Sequence, residues 1–389
     1  MTADGDGPIP GQTSTGSKRA EALFGTRPGP RAMLRSAGCF VWDESGHPLI
    51  DMGMALGAVA LGYAHPVVAE AVAEAARAGG VSSLPPVQEA ALAVRLLPWV
   101  PGGEAVRFFK TGAEAVAAAV RLARVVTGRE AVLTCGYHGW LDWCQESPGV
   151  PEGDRQLHRA LRFNDVIDLE QALADTSPPA AIVIEPVVED PPDLDWLRAV
   201  RRRATGCGAA LVFDEIKTGI RFGSGGAAGR YGVSPDVVVL GKALGNGMPL
   251  AAVVGQREVL DAATRTWISS TLATETTALA AASAVLDVCE GTDALSRLRQ
   301  AGEQWLAGCR AIATRWPAIV SGVHGIPEFS FLRFAGADVS AEVASAAARR
   351  GALVRRGPYH FPSAAHGEQE IARALEYLGE AVAEVAARC

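Results

Sequence analysis

ALVFDEIKTGIRFGSGGAAGRYGVSPDVVVLGKALGNGMPLAAVVG, residues 210–255, holds three short apolar runs, at 210–214, 236–240 and 250–255, separated by polar and glycine-rich segments. Runs of Val, Leu and Ala this free of polar positions are what strands covered on both faces require. Working back from it, further runs stand at 106–109, 131–135 and 181–185, with longer Ala/Arg-rich stretches between them. Strands alternating with helices predict an α/β fold with a mostly parallel central sheet and helices on both faces. After Thr111-Gly112, residues 113–126 carry Val116, Val120 and Ala123 at i, i+4 and i+7, a helix that follows a glycine turn. Residues 274–288 and 368–388 also have helical period.

The last hundred residues change pattern. Trp316-Pro317, a glycine-rich turn at 322–327 and an alternating strand at 329–334 precede a helix, a strand and a helix. This predicts a smaller α+β domain. Its partner is expected to be the segment 38–51, two strands around a turn at Glu44-Ser45-Gly46. The expected division is a disordered tail at 1–20, an N-terminal segment of the small domain at 21–57, a large domain at 58–288 and the C-terminal small domain at 289–389.

Composition narrows the function classes. Of 389 residues 49% are hydrophobic, yet no apolar run approaches the roughly 20 residues that cross a bilayer. The opening MTADGDGPIPGQTSTG has neither a basic start nor an apolar stretch, so a cytoplasmic protein is expected. A net charge of −7 with scattered basic residues argues against nucleic acid as partner and for small molecules. The seven cysteines, Cys39, Cys135, Cys144, Cys207, Cys289, Cys309 and Cys389, form no C-x-x-C pair, so no metal site and no disulfide framework is expected. Only four lysines occur, Lys18, Lys110, Lys217 and Lys242, so chemistry that needs a primary amine has few candidates.

Three motifs carry chemistry. In Phe109-Lys110-Thr111-Gly112-Ala113-Glu114-Ala115 a strand meets a helix through a small-residue turn, and unpaired N–H groups at a helix start suit a phosphate, although many such turns only connect. The strand 210–214 ends in Asp214-Glu215, where a carboxylate meets the ligand crevice of an open α/β sheet or else caps a helix or forms a salt bridge. Lys242 follows the strand 236–240 within a glycine-rich loop, where desolvation lowers a lysine's pKa as a Schiff-base nucleophile requires. Lysine for an aldehyde, acid for a pyridinium nitrogen and helix start for a phosphate together make a pyridoxal 5'-phosphate (PLP) site.

The order and wording of TGAEAVAAAVRLAR, GYHGW, IEPV, FDEIKTGIRFG, GVSPDVVVLGKALGNGMPLAAVVG and SSTLATETTALAAA resemble the class III PLP-dependent aminotransferases, in particular the glutamate-1-semialdehyde aminomutase branch. The resemblance covers the chain from about Gly38 onward and implies the PLP-dependent transferase fold type I and a homodimer with its site at the subunit interface. It implies that Lys242 is the Schiff-base lysine and Asp214 the acid at the ring nitrogen, with pyridoxamine 5'-phosphate as the intermediate cofactor form. By the same resemblance Thr111, Gly112 and Ala113 bind the phosphate, Tyr137 and Ile216 flank the ring, and Thr271 reaches the neighbouring subunit's phosphate.

Departures from that pattern bear on substrate. Lys110 replaces the usual Asn, Ala113 a hydroxyl residue and Glu275 an Asn, while Lys217 stands where Gln, Met or Val is common, either near the cofactor or directed to solvent. His138 is either a substrate or cofactor contact or a structural histidine, and Glu185 is read as a supporting carboxylate. Arg31, Arg35, Arg355 and Arg356 are candidates for clamping a substrate carboxylate. The expected activity is amino transfer from a donor to a polar aldehyde or ketone, in specialised or sugar-like metabolism, with an intramolecular aminomutase as the alternative. A non-catalytic subunit and a nucleotide-binding protein are the remaining readings; the second lacks a G-x-x-x-x-G-K-[ST] loop.

Overall fold

The computed structural model describes residues 8–388 and divides into two compact units, one of residues up to His65 together with those from Asp293 onward, the other Pro66–Thr292. Residues 1–7 of the expected tail, and Cys389, lie outside the described residues.

In the first unit the N-terminal strands β1 (Met33–Ala37), β2 (Phe40–Asp43) and β3 (Pro48–Asp51) form an antiparallel meander. The reversal between β2 and β3 is fixed by Asp43, whose Oδ1 accepts the N–H groups of Ser45 and His47 at 2.9 and 2.8 Å. Within the stretch expected to be a tail, Gly16–Lys18 form a 3-10 turn, and the Ser17 carbonyl accepts from Arg355 Nη1 at 3.0 Å.

The second unit is built on seven strands: β4 (Ala105–Phe109), β5 (Val132–Cys135), β6 (His158–Ala160), β7 (Ala181–Ile184), β8 (Ala210–Asp214), β9 (Val237–Leu240) and β10 (Ala251–Gly255). Their order is β4-β10-β9-β8-β7-β5-β6; β10 alone runs antiparallel to its neighbours, so the other six end on one edge. Strands β5, β7 and β9 are buried at every position, which accounts for their unbroken apolar sequences. The helix Gly112–Thr127 is set by a capping box, with Thr111 Oγ1 accepting from Glu114 N and the Glu114 carboxylate accepting from Thr111 N, and by Gly128 at φ 67. It buries Ala115, Val116, Ala119, Val120, Leu122 and Ala123, a stripe that packs with sheet residues such as Val183, Val212, Val239 and Val253 into one core.

The chain returns to the first unit with the hairpin β11 (Val320–Ile326) and β12 (Phe329–Phe334) and the short strand β13 (Ala352–Leu353). β13 pairs parallel with β3, Ala352 opposite Ile50, so both ends of the chain share one four-stranded sheet. The glycine-rich segment 322–327, expected as a turn, is mostly strand, and the reversal falls at Pro327-Glu328. Its glycines answer to close approach instead: a Cβ on Gly325, at φ 107, would lie 2.5 Å from the Phe329 carbonyl oxygen. The hairpin tip rests on the helix Ala294–Arg315, where a Cβ on Gly302 would stand 1.8 Å from the Pro327 carbonyl. Phe24, Met52, Trp305, Val343, Ile371 and Leu378 are among the buried residues of this unit's core.

Candidate active site

All the chemically informative segments lie beyond the carboxyl ends of strands that share one direction. Lys110-Thr111-Gly112 follows β4, Gly136-Tyr137-His138 follows β5, Glu185 follows β7, Asp214 closes β8 and Lys242 follows β9. β8 and β9 are neighbours, with Asp214 opposite Val239, so the carboxylate and the lysine arise from adjacent strand ends.

Glycines draw these ends together. A Cβ on Gly112 would lie 2.4 Å from Ile216 Cδ1, and one on Gly241 would lie 3.4 Å from Ile216 Cγ1, so Ile216 packs between the helix start and the lysine loop. A Cβ on Gly139, at φ 105, would lie 2.6 Å from Ala113 Cβ, which seats the turn after β5 on the same helix start. Gln145 Nε2 donates to the Gly139 carbonyl at 2.6 Å and holds that turn from its far side.

The polar groups form two buried pairs. His138 Nδ1 lies 2.8 Å from Asp214 Oδ2, each side chain 1% exposed, and Asp214 Oδ1 accepts the Ile216 N–H at 3.2 Å. The His138 ring stacks on Trp143 at 28° between planes, and its Nε2 is buried without a hydrogen-bond partner among the described residues. Lys217 Nζ lies 3.0 Å from Glu185 Oε1, and Glu185 Oε2 accepts the Tyr137 N–H at 3.0 Å. Lys242 has φ 46, a left-handed conformation that costs a side-chain-bearing residue energy and recurs at functional sites. Its residue surface is only partly buried, yet its amine is enclosed: desolvation, then the positive charge of Lys217, lower its pKa to about 8 against the pull of Glu185 and Asp214.

Glu215 divides from its neighbour. It accepts the N–H groups of Ala227 and Ala228 at 2.7 and 3.1 Å and the Thr218 hydroxyl at 3.0 Å, and burial raises its pKa to about 7. The capping alternative therefore applies to Glu215, while Asp214 is paired with His138 at the end of β8.

A class-III aminotransferase profile matches residues 25–147 and 145–359. The chain belongs to the class-III aminotransferases. This class-III chain is 33% identical over 329 residues to a glutamate-1-semialdehyde 2,1-aminomutase of Rhodopirellula baltica, covering 79% of this chain and 74% of that protein. It is 33% identical over 364 residues to the 2'-deamino-2'-hydroxyneamine transaminase of Streptomyces kanamyceticus, covering 90% and 91%. Among solved structures it is similar to the PLP internal aldimine form of the Sphingopyxis sp. MTA144 FumI protein, with TM-score 0.89, 25% identity and coverage of 94% and 91%. A structure described as a transaminase with PLP bound gives TM-score 0.89 and 25% identity over 98% and 96%. The fold is PLP-dependent fold type I, and the aminotransferase's cofactor is PLP.

The residues on this edge fit that cofactor: an amine of lowered pKa, a buried carboxylate on the next strand end, a histidine nitrogen with no partner among the described residues and a helix start kept open by Gly112 and Gly139. Thr111 is exposed and its hydroxyl is engaged in the capping box, which leaves the backbone N–H groups of Gly112 and Ala113 for an anion. Tyr137 is 67% exposed at the rim of this edge. Lys217, for which a solvent-directed position was one alternative, is buried and paired instead. Glu275 caps the helix Thr276–Gly291 and pairs with Lys110 at 2.7 Å. Burial opposes its ionisation, but hydrogen bonds from Lys110 and Thr277 hold its pKa below the usual value. Thr271 is exposed on the loop leading to that cap.

Of the arginines, Arg356 is occupied by Ser340 Oγ and the Glu21 and Ala337 carbonyls, and Arg35 stacks on Trp42 at 3.4 Å from the ring centroid. Arg31 donates its backbone N–H to the Glu44 carboxylate, and Arg355 binds Ser17. Trp143 and Gln145, which fix the ring and the turn around His138, carry no local sequence signal; only their place after the turn could have pointed to them. A cavity of about 590 Å³ lined by Arg129, Val132, His158 and Asp175 lies where β5 and β6 begin, on the opposite edge from these groups.

Proposed function

We propose that this chain transfers an amino group from a donor to a polar aldehyde or ketone, with Lys242 as the lysine that holds PLP. The observation that carries the reading is that Lys242, just beyond β9, and Asp214, closing β8, stand on adjacent strand ends with Ile216 packed on Gly241 between them. PLP, when bound, supplies an aldehyde carbon for the amine and a cationic ring that withdraws electrons from a substrate C–H bond. Lys242 would hold the cofactor through its uncharged amine and, when that amine is free, would serve as the base for the proton on the substrate carbon. Asp214, oriented by His138 through Nδ1, keeps a proton on the ring nitrogen. Gly112 and Ala113 bind the phosphate through N–H groups at the helix start, assisted by Thr111. Ile216 and Tyr137 bound the two faces of the ring. His138 Nε2, Lys217 and Glu275 are the remaining candidates for substrate contact.

A polar acceptor is supported by the relative named 2'-deamino-2'-hydroxyneamine transaminase. We also propose a homodimer in which Thr271 reaches the neighbour's phosphate; the 82% exposed Trp267 and 51% exposed Leu272 beside it are apolar surface that a second subunit would cover. Among the described residues no helix is long and apolar enough to cross a membrane. A second reading, intramolecular aminomutase, is favoured by the aminomutases among the relatives.

Borohydride reduction of the PLP-loaded protein followed by mass spectrometry is expected to place the cofactor on Lys242 and to find no adduct in Lys242→Ala. Supplying one candidate substrate without any amino donor separates the two activities. Conversion that requires an added amino donor supports transfer, while catalytic isomerisation of a single amino aldehyde without donor establishes the mutase.

A further inference from the structure

Lys242 and a second lysine, Lys217, arise beside one another: Ile216, which precedes Lys217, packs on Gly241, which precedes Lys242. Lys217, three residues beyond the Asp214 strand end, is paired with Glu185 at 3.0 Å, and the two side chains are 7% and 5% exposed. The other oxygen of Glu185 accepts the Tyr137 N–H. That approach is possible because Gly136, at φ 111, lacks the Cβ that would stand 2.6 Å from the same oxygen. One carboxylate thereby ties together the end of β7, the segment after β8 and the turn after β5.

We propose that Lys217 is a positioning residue of the active site, acting on Lys242 through its charge and on the Tyr137-His138 turn through Glu185. The inference rests on the reading of Lys242 as the cofactor's lysine. The charged groups that act on Lys242 are Lys217 and Arg221, which oppose a proton there, and Glu185 and Asp214, which favour it. Replacing Lys217 by an apolar residue removes one cation and leaves Glu185 uncompensated, and both changes favour the proton. Replacing Glu185 by glutamine removes an anion and leaves Lys217, which disfavours it. These signs follow from charge near the Lys242 nitrogen and hold whether that nitrogen is free or bonded to the cofactor. A lysine that only filled space would give neither shift.

The test follows the visible absorption of the PLP-loaded protein against pH in the unsubstituted chain, Lys217→Met, Lys217→Arg and Glu185→Gln. The midpoint is expected to rise by about one pH unit in Lys217→Met, to stay near the parent value in Lys217→Arg and to fall in Glu185→Gln. Where Lys217→Met does not accumulate as folded protein, Lys217→Gln replaces it with the same expected rise. Midpoints that do not move, or that move in one direction in both the Lys217→Met and Glu185→Gln proteins, overturn the proposal. Borohydride trapping on the unsubstituted chain keeps the two failures apart. An adduct away from Lys242 removes the underlying reading, whereas an adduct on Lys242 with immobile midpoints removes only the role of Lys217.

Discussion

His138 and Asp214, 76 residues apart in sequence, face each other at 2.8 Å with both side chains almost wholly removed from solvent. A carboxylate in so dry a place needs its hydrogen bonds, because an unmet acceptor there keeps the full desolvation penalty. His138→Phe is therefore expected to lower stability by about 1–3 kcal/mol in urea unfolding, and to lower kcat more than it raises KM for the donor. Equal stability and unchanged kcat would make the pair incidental.

The Lys242 pKa of about 8 sets a pH dependence for cofactor capture. A protonated amine has no lone pair to offer an aldehyde, so capture is slow below that value and rises as pH climbs through it. Stopped-flow absorbance of cofactor-free protein mixed with PLP should show a rate midpoint near 8, well below the ordinary lysine value of about 10.4. Lys242→Met is expected to remove the pH-dependent phase.

Two glycines test the packing that brings the strand ends together. Gly139→Ala sets a methyl 2.6 Å from Ala113 Cβ and also forces a side-chain-bearing residue to φ 105, so stability and PLP affinity should fall, by about 2–3 kcal/mol in unfolding. Gly112→Ala meets the Ile216 side chain, with Cδ1 at 2.4 Å and Cγ1 at 3.3 Å, which can change rotamer, and should cost less. Equilibrium PLP titration and urea unfolding on both variants check this order.

In the first unit His360 is fully buried, with Nε2 accepting the Arg355 N–H at 3.0 Å, and burial followed by the charge of Arg355 lowers its pKa to about 3. The unfolded chain takes up a proton near pH 6.5 and the folded chain does not until about 3, so the unfolded state binds more protons in that window and stability falls as pH drops through it. His360→Gln keeps an acceptor for Arg355 and is expected to flatten the slope between pH 7 and 4.5 in urea unfolding.

Much of the second unit was legible because fully buried strands leave little choice of residue. The apolar runs at 106–109, 131–135, 181–185, 210–214, 236–240 and 250–255 all became strands. β1 and β6 passed unread, since β1 is half exposed and β6 has three residues, too few to show a period. The turn expected at 322–327 fell to the same local ambiguity: glycine signals a reversal or a close neighbour with equal force, and here the neighbours were Phe329 and Ser330.

The sequence by itself determined the order of strands and helices, the scarcity of amines and the carboxylate and lysine that follow buried strands, because burial and helix starts act over a few residues. Only the tertiary structure decided that Glu185 meets Lys217, that His138 meets Asp214, that Glu215 caps a helix and that Glu275 is paired with Lys110. Hydrogen bonds and ion pairs act within about 3 Å and join segments as far as 338 residues apart, so no local pattern records them.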